Sequence, residues 1–219
     1  MDWSILASLS QDERRRVLRG TRRRQFASGD IIFYEGDPAD SLHLLAAGHV
    51  TVWVTTPQGE SVILEILGPG AAFGELALLG HNQVRAATVR TLERSETLSM
   101  SRQQFNELRM HLPAVNDFLV QAMAERLRRI DAHLMEALFV PAEKRVLRRL
   151  LSVALLYPSA GSSGTTVPVT QEVLANMAGT SRPTTNQVLR AAEEDGVIKL
   201  GRRRITILRP VELRKRAGA

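Results

Sequence analysis

Three residues in one short stretch carry the most chemistry: Gly74, Glu75 and Arg85, within F-G-E-L-A-L-L-G-H-N-Q-V-R-A-A-T-V over 73–89. A glycine lets a ligand come close to the backbone, and a carboxylate beside it accepts hydrogen bonds from hydroxyls. An arginine ten positions on can grip a phosphate with two parallel N–H bonds. A small sugar phosphate bearing one negative charge needs those three services. Phe73, Gly74, Glu75, Leu76, Ala77, Arg85, Ala86 and Ala87 are therefore the candidate ligand contacts.

A second constellation lies far downstream, in V-T-Q-E-V-L-A-N-M-A-G-T-S-R-P-T-T-N-Q-V-L-R over 169–190. Thr170 can cap a helix over Gln171 to Ala178, Gly179-Thr180 makes a tight turn, and Ser181 can cap a second helix over Arg182 to Asp195. Pro183 is tolerated there because first-turn N–H groups have no intrahelical acceptor. Val173, Leu174, Met177, Val188, Leu189 and Ala192 supply the packing between these helices. Arg182, Pro183, Asn186, Gln187 and Arg190 then face outward; Arg suits guanine and Asn or Gln suits adenine in a major groove. Val197 to Leu200 and Ile205 to Leu208 read as a β-hairpin wing with Arg202 and Arg203 at its basic tip. The candidate DNA contacts are Thr170, Gln171, Ser181, Arg182, Pro183, Thr184, Asn186, Gln187, Arg190, Arg202 and Arg203.

Charge divides the chain along the same line. Residues 1–140 hold 15 Arg/Lys against 17 Asp/Glu, a net of −2, whereas residues 141–219 hold 14 against 6, a net of +8. A basic C-terminal part of that kind points to a polyanion partner. With no cysteine, disulfides, thiolate zinc fingers and cysteine-held iron–sulfur clusters are excluded. His43, His49, His81, His111 and His133 form no close ligand pair, so neither metal nor haem is expected. No nucleophile–base pair, metal-ligand cluster or triphosphate loop marks an enzyme. No apolar run approaches the roughly 18 residues of a membrane helix, and the N-terminus lacks signal-peptide order. A cytoplasmic location is the expectation.

The elements that must position these groups read as follows. Leu6 to Arg19 is a short helical lead-in, with Ser10 and Glu13 as a capping box. From Gln25 to Ser99, short alternating runs broken by glycine and proline turns signal an antiparallel sandwich or barrel. After Pro113, Leu119, Met123, Leu127, Ile130, Leu134 and Leu138 recur at three- and four-residue spacing on one long helix. A single stripe of that length calls for a partner helix, and a parallel homodimer is the economical answer. Pro141 ends or kinks the helix, Glu143 to Leu156 forms another, and Tyr157 to Pro168 reads as a surface loop.

Taken together, the cassette, the long helix and the winged helix-turn-helix resemble the Crp–Fnr family of bacterial transcription factors over residues 5 to 210. The R-A-A-T-V wording also resembles the cassette of protein kinase A regulatory subunits. The resemblance implies an α+β fold: a cyclic-nucleotide-binding β-roll (a double-stranded β-helix or jelly roll) over 1–112, a dimerisation helix and hinge over 113–140, and a winged helix-turn-helix over 141–219. It implies cyclic AMP as allosteric ligand, with Glu75 on the ribose 2′-hydroxyl and Arg85 on the cyclic phosphate. It brings Ile130 and Asp131 to the ligand from the dimer helix, and it implies double-stranded DNA, a second copy and RNA polymerase as partners. Ile130 stands where the catabolite activator offers a hydroxyl to adenine. Pro183 and Gln187 stand where that family carries base-reading Glu and Arg. A same-fold regulator that is constitutive or senses another small ligand is therefore the alternative; a cyclic-nucleotide-binding subunit acting on a protein is a further one.

Overall fold

Period-two alternation builds the first half of the molecule. The computed structural model describes residues 3–6, 9–79, 84–157 and 164–218. The strands of this half are β1 (Arg22–Phe26), β2 (Ile31–Phe33), β3 (Ser41–Ala47), β4 (Val50–Thr55), β5 (Ser61–Leu67), β6 (Ala72–Phe73), β7 (Thr88–Thr91) and β8 (Ser95–Ser101). They form two four-stranded sheets, ordered β1-β8-β3-β6 and β2-β7-β4-β5. Along β3, Leu42 and Leu44 face one way and His43 and Leu45 the other. Leu45 joins Phe33, Val50, Phe73 and Val89 in a core drawn from both sheets, so the sheets pack face to face.

The outer face of the β1-β8-β3-β6 sheet is covered by helix. Leu42, Leu44 and Met100 pack with Trp3, Ile5, Leu6 and Leu9, with Phe105 and Leu108, and with Val115 and Leu119. The first group lies on and beside a 3₁₀ turn (Ser4–Leu6), ahead of α1 (Gln11–Arg19), which starts at the expected Ser10–Glu13 capping box. The second belongs to α3 (Arg102–His111), which follows a short α2 (Leu76–Leu79) and begins at a second capping box, Ser101 with Gln104. The third belongs to α4, which runs from Pro113 to Phe139, about 40 Å at 1.5 Å per residue. Pro141 lies just beyond it in extended conformation, at the N-cap position of the next helix and without a side-chain capping bond.

The chain divides into two compact units, Met1–Val54 with Ile66–Arg129, and Thr55–Glu65 with Ile130–Ala219. The division falls inside α4, whereas proline signals alone place boundaries at its two ends. The second unit holds α5 (Ala142–Ala154), β9 (Thr165–Val167), α6 (Gln171–Ala178), α7 (Arg182–Glu194), β10 (Ile198–Gly201), β11 (Arg204–Ile207) and α8 (Pro210–Ala217). Its core is Val146, Leu147, Leu150 and Val153 of α5 against Leu174, Ala178, Leu189, Ala192, Ile198, Ile205 and Leu213. Val173, Met177 and Val188 are half-buried at its margin.

Part of the expected Tyr157–Pro168 loop is sheet instead. Thr165, Thr166 and Val167 pair antiparallel with Ile207, Thr206 and Ile205, so the wing has three strands in the order β10-β11-β9. A three-residue strand is too short to show a period in sequence. Residues 158–163 of that loop lie outside the described residues, as do His81 and the rest of 80–83.

Candidate functional site

The ligand cassette begins where β6 ends. Gly74 sits at φ +86°, in the left-handed region that favours glycine. A side chain there would also fail on space: a Cβ would come within 2.7 Å of Arg85 Nη1 and 3.2 Å of the Ser41 carbonyl oxygen. Arg85 thus crosses directly over Gly74, and the ten-residue interval in sequence is a contact in space.

Arg85 is 3% exposed. Its backbone is pinned by the preceding turn: the Arg85 N–H donates to the Asp37 carbonyl at 2.8 Å, and the Gly36 N–H donates to the Arg85 carbonyl at 2.9 Å. Its Nη1 donates to the Ser41 carbonyl at 2.7 Å and the Gly74 carbonyl at 3.2 Å. Its Nη2 donates to Ser41 Oγ at 3.1 Å and to Asp40 Oδ1 at 3.4 Å. The guanidinium lies 4.0 Å above the Phe33 ring, a cation–π contact. Burial pulls its pKa below the usual arginine value, opposed by Asp40 and Asp37; it stays a cation.

His43 supports this group from below. Ser41 Oγ donates to Asp40 Oδ1 at 2.7 Å, so it can only accept from His43 Nε2, 3.3 Å away. The ring is then the Nε2–H tautomer, and its Nδ1 accepts from Thr97 Oγ1 at 3.1 Å. It is stacked on Phe73 at 5.2 Å between centroids. Burial, reinforced by the Arg85 charge, pushes its pKa down to about 3. Phe73 itself is core, so any ligand contact it makes is through its backbone.

Glu75 keeps a cation of its own. Its Oε1 lies 3.9 Å from Arg126 Nη1 on α4. Leu76 and Glu75 are half-buried, Ala86 is exposed and Ala87 is buried. Ile130 and Asp131 are exposed on α4 and fall in the second unit. Asp40, Ser41, His43 and Arg126 were not legible as site residues in sequence. Asp40 and Ser41 are 45 and 44 positions from the arginine they hold.

The helix-turn-helix forms at the expected residues. Thr170 Oγ1 accepts from the Val173 N–H, Gly179 ends α6 at φ 57°, and Ser181 Oγ accepts from the Thr184 N–H. Ser181, Arg182, Pro183, Gln187 and Arg190 are exposed along α7, Asn186 and Thr184 are half-buried, and Thr185 is buried. Thr170 and Gln171 are half-buried at the start of α6. Arg202 and Arg203 form the exposed two-residue tip between β10 and β11, and Arg203 is held at φ 58°. A left-handed non-glycine costs about 1 kcal/mol, so this tip is built with a fixed direction.

The α4 stripe is only partly free. Leu119 is 5% exposed and belongs to the first unit's own core, so it is unavailable to a partner. Met123, Leu127, Ile130, Leu134 and Leu138 are exposed. A continuous exposed apolar row of that kind marks an interaction surface.

These two sites have counterparts among known proteins. Residues 23–111 match the cyclic nucleotide-binding domain, and residues 144–216 match the Crp-like helix-turn-helix domain. The chain belongs to the Crp–Fnr family. Its relatives include the cyclic AMP receptor protein of Thermus thermophilus, 36% identical over 90% of this chain and 88% of the relative. Among solved structures, the Thermus thermophilus catabolite activator protein is 32% identical, covers 98% of both chains and has a TM-score of 0.56. The c-di-GMP responsive global regulator CLP of Xanthomonas campestris has a TM-score of 0.79 at 21% identity, over 90% of this chain and 99% of its own, a likeness of fold. As a Crp–Fnr protein the chain is a transcription regulator with a cyclic-nucleotide-binding domain, not an enzyme. Among the described residues, no helix is long and apolar enough to cross a membrane.

Proposed function

We propose that this Crp–Fnr protein is a homodimeric, cytoplasmic regulator whose binding to palindromic DNA is gated by a cyclic nucleotide, cyclic AMP in the first instance. The observation that carries the reading is the buried Arg85 crossing Gly74, a fixed cation beside a backbone approach point, with Glu75 next in sequence for the ribose hydroxyl. The cyclic AMP receptor protein of Thermus thermophilus supports that choice of ligand at 36% identity. The ligand domain would be 1–112, the dimer helix and hinge 113–140 and the DNA-binding domain 141–219. Two copies joined along Met123, Leu127, Ile130, Leu134 and Leu138 would set their α7 helices about 34 Å apart, one turn of duplex. The ligand can shift that arrangement only by its differential affinity for two states, about 1 to 3 kcal/mol of coupling. RNA polymerase is the further partner that such a regulator would address.

Titration calorimetry with cyclic AMP tests this directly. Saturable heat in the wild type and none in Arg85→Ala is the expected result, with ligand-stimulated DNA binding lost in the same variant. A variant that binds and responds normally would sink the assignment of the cradle.

One observation favours a second reading. Ile130 is exposed and apolar where a hydroxyl would be needed to read adenine. The same fold would then sense another small anion or bind DNA without one. Heat absent from both proteins, together with DNA binding indifferent to cyclic AMP, would select it.

A further inference from the structure

Arginine has five N–H donors, and the protons on Nε and Nη2 lie along one side of the guanidinium. A carboxylate or phosphate grips that side with two parallel bonds. In this chain the Nη1 protons are spent on the Ser41 and Gly74 carbonyls, both of which are backbone and anchored in strand or turn. The Nε is buried and has no hydrogen-bond partner. Its neighbour Nη2 is shared between Ser41 Oγ and a carboxylate oxygen of Asp40. The side of Arg85 suited to an oxyanion therefore has one donor unpartnered and the other half-engaged by an acid.

We propose that Asp40 is an internal competitor for the ligand's phosphate: its carboxylate stands against the Nε–Nη2 side of Arg85 in the free protein and is displaced when a phosphate takes both donors. This rests on the reading of Arg85 as the phosphate-binding group. Asp40 is suited to leave. Its side chain is 85% exposed, its contact with Nη2 is long at 3.4 Å, and it meets only one of the two donors. A rotation into solvent releases it without moving Arg85, which the two carbonyls and the Phe33 ring keep in place; it also gives up the Ser41 Oγ–H bond at 2.7 Å, which a phosphate oxygen on Nη2 can accept in its stead.

The opposite role would be that of a positioning partner whose loss loosens Arg85 and weakens binding. The geometry does not need one: an arginine already 3% exposed and held by two carbonyls gains little orientation from an exposed acid. As a competitor, Asp40 raises the cost of ligand binding twice, by stabilising the empty site and by repelling the incoming charge. Surface pairs of this exposure are weak, so the expected gain on removing it is about threefold to tenfold in affinity.

The test uses the full chain with two probes, cyclic AMP and inorganic phosphate. Binding is followed by the Nε–H resonance of Arg85, assigned by its disappearance in Arg85→Lys. In Asp40→Asn, and in Asp40→Ser as a second form without the charge, both probes should titrate at about threefold to tenfold lower concentration, with the circular dichroism of the free protein unchanged. Equal or weaker binding by both variants overturns the proposal. Tighter phosphate binding with no response to cyclic AMP keeps the proposal and removes cyclic AMP as ligand. An Nε–H that responds to neither probe in any variant removes the phosphate role of Arg85, and the competitor with it.

Discussion

Arg145 Nε donates to the Ala178 carbonyl at 2.9 Å, tying the first turn of α5 to the last residue of α6. The same guanidinium donates from Nη2 to the Gly179 carbonyl at 3.1 Å and from Nη1 to the Val140 and Ala137 carbonyls at 3.0 and 3.3 Å. One side chain therefore satisfies carbonyls at the C-terminal ends of two helices, α4 and α6. A cation is favoured at such ends by the partial negative charge of unpaired carbonyls. Three residues on, Arg148 does the same for α8, through the Ala217 and Gly218 carbonyls, and also holds Glu136 of α4.

Replacing Arg145 by alanine should cost about 2 to 3 kcal/mol of unfolding free energy, since several charge-assisted bonds go at once. Lysine should restore less than half, because one ammonium cannot span carbonyls on both sides of a planar fork. Denaturant unfolding of the two variants measures this. A lysine variant as stable as the wild type would show that charge alone, rather than the fork, makes the tie.

Acid should act through His43. An unfolded histidine titrates near 6.5, whereas buried His43 titrates at about 3. Between those values the unfolded chain takes up a proton that the folded chain refuses. Stability present above pH 6.5 is therefore lost as pH falls toward 3, at a rate of up to about 1.4 kcal/mol per pH unit. His43→Gln can still bond Ser41 and Thr97 but does not titrate, so its stability should fall less steeply with acid. Unfolding curves of both proteins at pH 7, 6, 5 and 4 give the comparison, carboxylates being common to the two. Parallel slopes would mean that His43 is not the group responsible.

How far sequence reaches is visible at particular residues. Ser10, Thr170, Ser181 and Gly179 act within three or four positions of themselves, so caps and turns were readable. So were the Pro113 and Pro141 limits of α4. Two further helices carry signals of the same local kind: Ser101 with Gln104 before α3, and Pro210 with Gly218 around α8. Leu119 fits the spacing of the α4 stripe as well as Leu127 does. Periodicity says which residues share a face but not what covers it, and the covering of Leu119 by Phe105, Leu108 and the outer sheet is a long-range fact. Likewise, Arg85 could be chosen as a cation for phosphate, but its burial against Asp40, Ser41 and Phe33 depends on strands that meet only in the fold.

The remaining stripe makes its own prediction. Leu127 and Leu134 are 60% and 57% exposed, so Leu127→Glu combined with Leu134→Glu should leave each chain folded. If the row joins two copies, four buried leucines become four carboxylates per dimer, at about 2 kcal/mol or more of lost burial each. Sedimentation should then show a monomer at concentrations where the wild type is a dimer, with the circular dichroism unchanged. A double variant that stays dimeric would place the interface elsewhere.

Arg182 and Arg203 should separate two kinds of contact with DNA. Arg182 is exposed at the first position of α7, where a recognition helix meets base edges. Its replacement by alanine should cost about 1 to 3 kcal/mol on the preferred operator and much less on operators altered at one base pair per half-site. Arg203 sits at the exposed wing tip in a left-handed conformation, and its proposed role is a backbone-phosphate contact, which carries no sequence information. Arg203→Ala should weaken binding about equally on every sequence and reduce the dependence on salt by about one counterion per wing. Fluorescence anisotropy across an operator panel at several salt concentrations distinguishes the two. A uniform loss for Arg182→Ala would move that residue to the phosphate backbone and leave Gln187 and Arg190 as the base readers.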